Sequence, residues 1–128
     1  MPLSENRYET AVARYFEAWN ATGSAEELAK AVEAAWSEGG GYTDPLSDVT
    51  GHEAIAAVIG GTHAQFPGYV FRLEGAVDGH HDVARFRWEL VSVADGSAPV
   101  AGSDVVTLAG DGRIATVAGF LDRVPPTA

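Results

Sequence analysis

The sequence predicts an α+β fold in which three N-terminal helices pack on one face of a curved, mainly antiparallel sheet. Three observations point there. Apolar residues recur at helical spacing through the first half of the chain, as far as Phe66. From Tyr69 onward apolar and polar residues alternate with period two, the pattern of half-buried strands. Asp95-Gly96 and Asp111-Gly112 join the alternating runs as hairpins, so helices and strands are segregated rather than interleaved.

Tyr8, Val12, Tyr15 and Trp19 form the stripe of the first helix, which Asn20 to Gly23 ends. Ser24-Ala25-Glu26-Glu27 reads as a capping box, the serine capping and the glutamate three residues on reaching back. Leu28, Ala31, Val32 and Ala35 make the second stripe, and Gly39-Gly40-Gly41 is expected to break that helix. Tyr42 to Pro45 is a short extended piece, because the residue before a proline is pushed out of the helical region. Thr50-Gly51-His52-Glu53 is a second capping box, opening a third helix with Ile55, Val58, Ile59, Thr62 and Phe66 on one face. Gly60-Gly61 inside it costs about 1 kcal/mol per glycine relative to alanine. Close packing against another backbone is expected to offset that cost, with a hinge as the alternative. Pro67-Gly68 stops the helix.

Tyr69, Phe71 and Leu73 then alternate with Val70, Arg72 and Glu74, up to a turn over 78–82. Ala84, Phe86, Trp88 and Leu90 alternate with Arg85, Arg87 and Glu89. Two more strands are expected over 100–109 and 114–122. Residues 1–124 form one domain, and 125–128 a flexible tail. A curved sheet half filled by helices leaves a cavity.

Composition excludes several functions. With 18 acidic and 8 basic side chains the net charge is −10, which opposes binding to nucleic-acid backbones and to anionic membranes. No apolar run approaches a membrane span, and the first residues have neither the basic nor the apolar region of a signal peptide, so a cytoplasmic location is expected. There is no cysteine, hence no disulfide and no thiolate metal site. No glycine-rich phosphate loop or nucleophile elbow occurs. His80-His81-Asp82 is read as a solvated turn: adjacent histidines point apart, and none has a helical partner four residues away. No metal or other cofactor is expected.

Tyr15, Asp44 and Asp104 interrupt faces that should be apolar. Each has an ordinary structural explanation. Tyr15 fits a core tyrosine with a backbone partner, Asp44 an Asp-Pro turn, and Asp104 a paired carboxylate near a sheet edge. His63 falls near the inward stripe of the third helix, where pocket wall and helix surface are both open to it.

The order of these features resembles the nuclear transport factor 2-like superfamily, which includes ketosteroid isomerases, limonene-1,2-epoxide hydrolases and SnoaL-like polyketide cyclases. The resemblance rests on residues 11–20 of the first helix, Tyr42-Thr43-Asp44-Pro45, Gly51-His52-Glu53-Ala54-Ile55, residues 102–108, Asp111-Gly112-Arg113-Ile114 and residues 117–122. It implies a cone-shaped α+β barrel, a cystatin-like roll, that pairs with a second copy through its outer sheet face. In ketosteroid isomerases an Asp before a Pro is the base, and a first-helix Tyr with a neutral late-strand Asp forms the oxyanion hole. The resemblance puts Asp44, Tyr15 and Asp104 at those positions. Two departures stand out. Val58 and Ile59 lie where the isomerases place aromatic residues, which argues against a steroid. The arginine between the aspartates of the epoxide hydrolases has no clear counterpart: Arg85 and Arg87 are read as outer-face or dimer-contact residues, with the pocket as the alternative.

The expected wall of the pocket comprises Trp19, Trp36, Val58, Ile59 and His63 from the first part of the chain. Phe66, Phe86, Trp88, Val106, Val117 and Leu121 complete it. Asp122 is a competing carboxylate, ranked lower because alternation turns it outward. Three functions follow: an isomerase or cyclase acting by proton transfer next to a carbonyl of a small hydrophobic molecule, a non-catalytic binding protein for such a molecule, or a dimeric interaction module with a filled core.

Overall fold

The computed structural model describes residues 6–125. The expected flexible tail falls outside the described residues except for Pro125, and so do the first five residues. Helix α1 spans Arg7–Trp19, with Asn6 Oδ1 accepting the Tyr8 and Glu9 amides at 2.9 and 3.1 Å. It buries the expected stripe of Val12, Tyr15 and Trp19. Helix α2 spans Ala25–Ala35, and Ser24 Oγ accepts the Glu27 amide at 3.1 Å.

Helix α2 ends before the triple glycine that was expected to break it. The chain turns extended at Trp36, whose side chain is fully buried. Arg113 stabilises that ending by donating to the carbonyls of Glu33 and Trp36 at 3.0 and 3.2 Å, acceptors a helix end leaves unpaired. The glycines belong instead to strand β1, Trp36–Asp44, where pairing with the last strand, β6 (Ile114–Arg123), shifts register between Trp36 and Gly41. A Cβ on Gly40 would sit 3.0 Å from the Trp36 ring and 2.9 Å from the Ser37 carbonyl oxygen, so the bulge needs a glycine there.

A turn at Pro45-Leu46 leads to β2, Ser47–Thr50, and then to α3, His52–Gln65. The second capping box does not form. Thr50 is held in β2 opposite Gly41, and Gly51 takes the N-cap with φ +97° and no side-chain bond. Its amide donates to the Gly40 carbonyl at 2.8 Å. His52 Nε2 contacts the carbonyls of Trp36 and Ser37 instead, pinning α3 to the start of β1. Gly60 and Gly61 are exposed, and a Cβ on either would meet nothing within 4 Å, so close packing does not explain them.

Strands β3 (Tyr69–His80), β4 (Val83–Ser92), β5 (Val100–Leu108) and β6 (Ile114–Arg123) complete a six-stranded sheet of order β2-β1-β6-β5-β4-β3. Among the described strands, only β1 and β6 run parallel. The turn expected over 78–82 contracts to His81-Asp82, because β3 continues to His80 past a register shift after Glu74. The α+β class and the curved roll are as expected. The sheet stays open, however, with β2 and β3 as its edges, so it is not a closed barrel. The core lies between the helices and the inner sheet face, around Val12, Val32, Trp36, Ile55, Ile59, Val106 and Ile114. Arg85 and Arg87 are exposed on the other face. Among the described residues, no helix is long and apolar enough to cross a membrane.

Candidate active site

A cavity of about 260 Å³ lies between α1, the end of α3 and the inner face of the sheet. Its volume sits near the lower end of the range for small-molecule sites. Phe16 and Trp19 of α1, Phe66 after α3, Phe71 of β3 and Trp88 of β4 give it an aromatic wall. The exposed apolar lining residues Leu46, Phe120 and Val124 mark the mouth.

Two tyrosine–aspartate pairs interrupt this wall. Tyr15, on the buried stripe of α1, donates its hydroxyl to Asp104 Oδ2 at 2.5 Å. Trp88 Nε1 donates to Asp104 Oδ1 at 3.2 Å. Gly102, directly across from Trp88, makes room for that indole: a Cβ there would lie 2.3 Å from Trp88 Cζ2. The second pair is on β1. Tyr42 donates to Asp44 Oδ2 at 2.5 Å, while Asp44 Oδ1 accepts the amides of Leu46 and Ser47 at 2.8 Å each. Asp44 therefore shapes the Asp-Pro turn and lines the cavity at once.

Gly119 of β6 separates the two pairs. It is paired with Asp104, and a Cβ on it would lie 2.9 Å from Asp104 Oδ1 and 3.4 Å from Asp44 Cβ. The two carboxyl groups thus approach from β5 and β1 across a backbone with no side chain between them. Among the described residues, no lysine, arginine or histidine lines the cavity to neutralise them.

Burial pushes the Asp104 carboxyl up to about 6, against the pull of its Tyr15 and Trp88 donors and with help from the charges of Asp44 and Asp122. Burial also raises Tyr15 well above the ordinary tyrosine range, followed by the negative charge of Asp104. Tyr42 is raised first by burial and then by its bond to Asp44. Both phenols are neutral hydrogen-bond donors near pH 7.

The structure brings Tyr15, Asp44 and Asp104 to one cavity, along with Trp19, Phe66, Trp88 and Leu121. The other expected wall residues do not line it. Trp36, Ile59, Phe86, Val106 and Val117 are packed into the core behind the wall. Val58 packs against that core from α3. His63 faces the end of α1, where Nε2 bonds the Trp19 carbonyl oxygen. Asp122 lies outside, exposed at a register shift and bonded to Ser103 Oγ on the outer face. Tyr42 was missed, although it stands two residues from Asp44 in a strand and so shares its face. Phe71 was missed too, though it alternates inward with Tyr69.

The sequence profile of the SnoaL-like domain matches residues 12–117. A crystal structure of a provisionally named isomerase of the SnoaL-like family from Agrobacterium tumefaciens is 42% identical, with a TM-score of 0.84, over 91% of this chain and 97% of that one. A provisionally named SnoaL-like polyketide cyclase from Jannaschia is 21% identical, with a TM-score of 0.74, over 95% of this chain and 90% of that one. A cystatin-like protein of unknown function from Nostoc punctiforme is 14% identical, with a TM-score of 0.71, over 98% and 96%. The last two share the fold. No curated protein matches.

Proposed function

Since this chain belongs to the SnoaL-like domain family, we propose that it is a cofactor-independent acid–base enzyme, an isomerase or cyclase, acting on a small hydrophobic carbonyl compound. One observation carries this: two aspartates, each held by a tyrosine, face each other across Gly119 inside an aromatic cavity. The isomerase name of the relative from Agrobacterium tumefaciens agrees with it.

Asp44 is the base. Its Oδ1 is occupied by two backbone amides, so Oδ2 is the atom that takes a proton from the carbon next to the carbonyl. The C–H electron pair becomes the double bond of an enolate, and negative charge gathers on the oxygen. Tyr15 and a neutral Asp104 donate to that oxygen, each worth roughly 3 kcal/mol of barrier in such a site. For a β,γ-unsaturated ketone, Asp44 then returns the proton to the γ carbon as the double bond moves into conjugation. Atoms and charge balance without a co-reactant. A substrate without negative charge fits a cavity whose ionisable groups are two carboxyls and two phenols.

A second reading, a non-catalytic carrier of the same kind of molecule, is favoured by the three donors that already satisfy Asp44. Turnover of cyclohex-3-en-1-one, followed by the absorbance of the conjugated product, separates the two. Asp44→Asn should lower it about a thousandfold. Unchanged turnover removes Asp44 from the reaction, and saturable binding without turnover favours the carrier. The proposal includes a cytoplasmic homodimer joined by the outer sheet face around Val105, Arg85 and Arg87. Light scattering at micromolar concentration tests the pairing, and a monomer would reject it.

A further inference from the structure

We propose that Trp19 is a positioning residue of this site: its indole N–H bonds the Tyr15 hydroxyl oxygen when that hydroxyl turns its proton towards a ligand's carbonyl oxygen. This rests on the cavity being the ligand site, as above, but not on the reaction carried out there.

Trp19 is 5% exposed, and its Nε1 is the buried side-chain polar atom left without a hydrogen-bond partner among the described residues. A buried donor in that condition costs about 1–3 kcal/mol, so a fold that keeps one calls for a reason. The neighbouring hydroxyl has the complementary gap. Tyr15 gives its one proton to Asp104, and no donor among the described residues reaches its oxygen, which has two lone pairs. Tyr15 and Trp19 stand four positions apart on α1, so both side chains lie on one face. Their rings are 6.2 Å apart, tilted at 57°, and both line the cavity. The indole N–H is near enough to favour the ionised form of Tyr15, although the two stop short of hydrogen-bond geometry, so the bond forms by a small shift of either ring as the hydroxyl turns.

The N–H is also shut away from solvent, so water does not satisfy it. Once Asp104 holds a proton of its own, the Tyr15 proton is free to turn to a carbonyl oxygen. Its phenol oxygen then gains negative character, and the indole N–H stabilises it. Tyr15 becomes the stronger donor, and the orphaned N–H acquires a partner.

The indole N–H signals of the three tryptophans in a ¹⁵N-labelled sample test this, with Trp19 assigned through Trp19→Phe. The probes are 2-indanone and 2-methyleneindane, which match in shape and differ in the oxygen. The Trp19 signal should move downfield with the ketone, stay in place with the hydrocarbon, and lose its response in Tyr15→Phe. Equal movement with both probes overturns the proposal. So does a response that survives in Tyr15→Phe, which would put Trp19 in contact with the ketone itself. So does a Trp88 signal that moves while Trp19 does not. If neither signal responds to the ketone, the cavity is not the ligand site, and both this inference and the proposed function fall. Unchanged turnover in Asp44→Asn together with the expected Trp19 response would sink only the proposed function.

Discussion

Two regions of the helix–sheet interior each hold buried tryptophan and differ in what surrounds it. Around Trp36, Ile55, Val32 and Ile114 the space is filled, and each of these side chains is at most 1% exposed. His52 and Arg113 close this region by satisfying the backbone carbonyls where α2 meets β1. Around Trp19, Phe71, Trp88 and Tyr42 the aromatic rings surround a space instead. Aromatic residues therefore do not by themselves make a pocket. The second region differs in carrying two carboxyl groups and a glycine, Gly119, between them. A charged oxygen cannot be packed against apolar atoms without a large penalty, and a glycine leaves the gap unfilled.

The largest expected effect marks the filled region. Ile114→Ala should destabilise the fold by about 4 kcal/mol, read from denaturant unfolding, and leave turnover per folded molecule unchanged. A matching loss of turnover would mean the two regions are not independent.

The next effect belongs to Asp104. Its carboxyl titrates at 3.8 when unfolded and at about 6 when buried, so the folded state holds the proton more tightly. The stability linked to this group is fully present below pH 4 and is lost as pH rises through about 6. The loss is about 3 kcal/mol in total. Unfolding free energies of the native protein and Asp104→Asn should diverge by that amount between pH 4 and 7.5. Glu89, Asp95 and Asp111 are shifted downward and act in the opposite sense, but they are common to both proteins and cancel. Parallel curves would show that Asp104 is not buried with its charge. Because the neutral form is the oxyanion donor, kcat/KM should also fall as pH rises through about 6.

Gly119→Ala sharpens the contrast further. The added methyl would lie 2.9 Å from Asp104 Oδ1, forcing the carboxyl aside. Turnover should drop about a hundredfold, as for a displacement near 1 Å, with little change in the unfolding midpoint. Unimpaired turnover would show that the gap between the aspartates is not used. The smallest effect lies outside both regions. Gly60→Ala and Gly61→Ala sit on the open face of α3, where each should stabilise by about 1 kcal/mol in thermal unfolding. Destabilisation at either would reveal a contact made by that face.

The contrast between the regions was only partly legible in the sequence. Periodicity identified α1 and the strands, because 3.6- and 2-residue repeats report which face is buried. It could not report depth along the face. Phe86 and Trp88 share one face of β4, yet the first is core and the second holds Asp104 at the cavity wall. That difference is set by Gly102 on the neighbouring strand, a cross-strand pairing no local pattern encodes. The end of α2 was misplaced for a similar reason, since Arg113, distant in sequence, stabilises it. Tyr15, Asp44 and Asp104 were legible because each interrupts an apolar face. Tyr42 carried the same signal through its spacing from Asp44.

The most direct test of acid–base chemistry between the two aspartates is hydrogen–deuterium exchange at the carbons flanking the carbonyl of 2-indanone, followed by NMR in deuterated buffer at pH 6. The native protein should exchange these positions well above the buffer rate, and Asp44→Asn should return them to it. Exchange at the buffer rate with the ketone bound in the cavity would contradict proton transfer by this site.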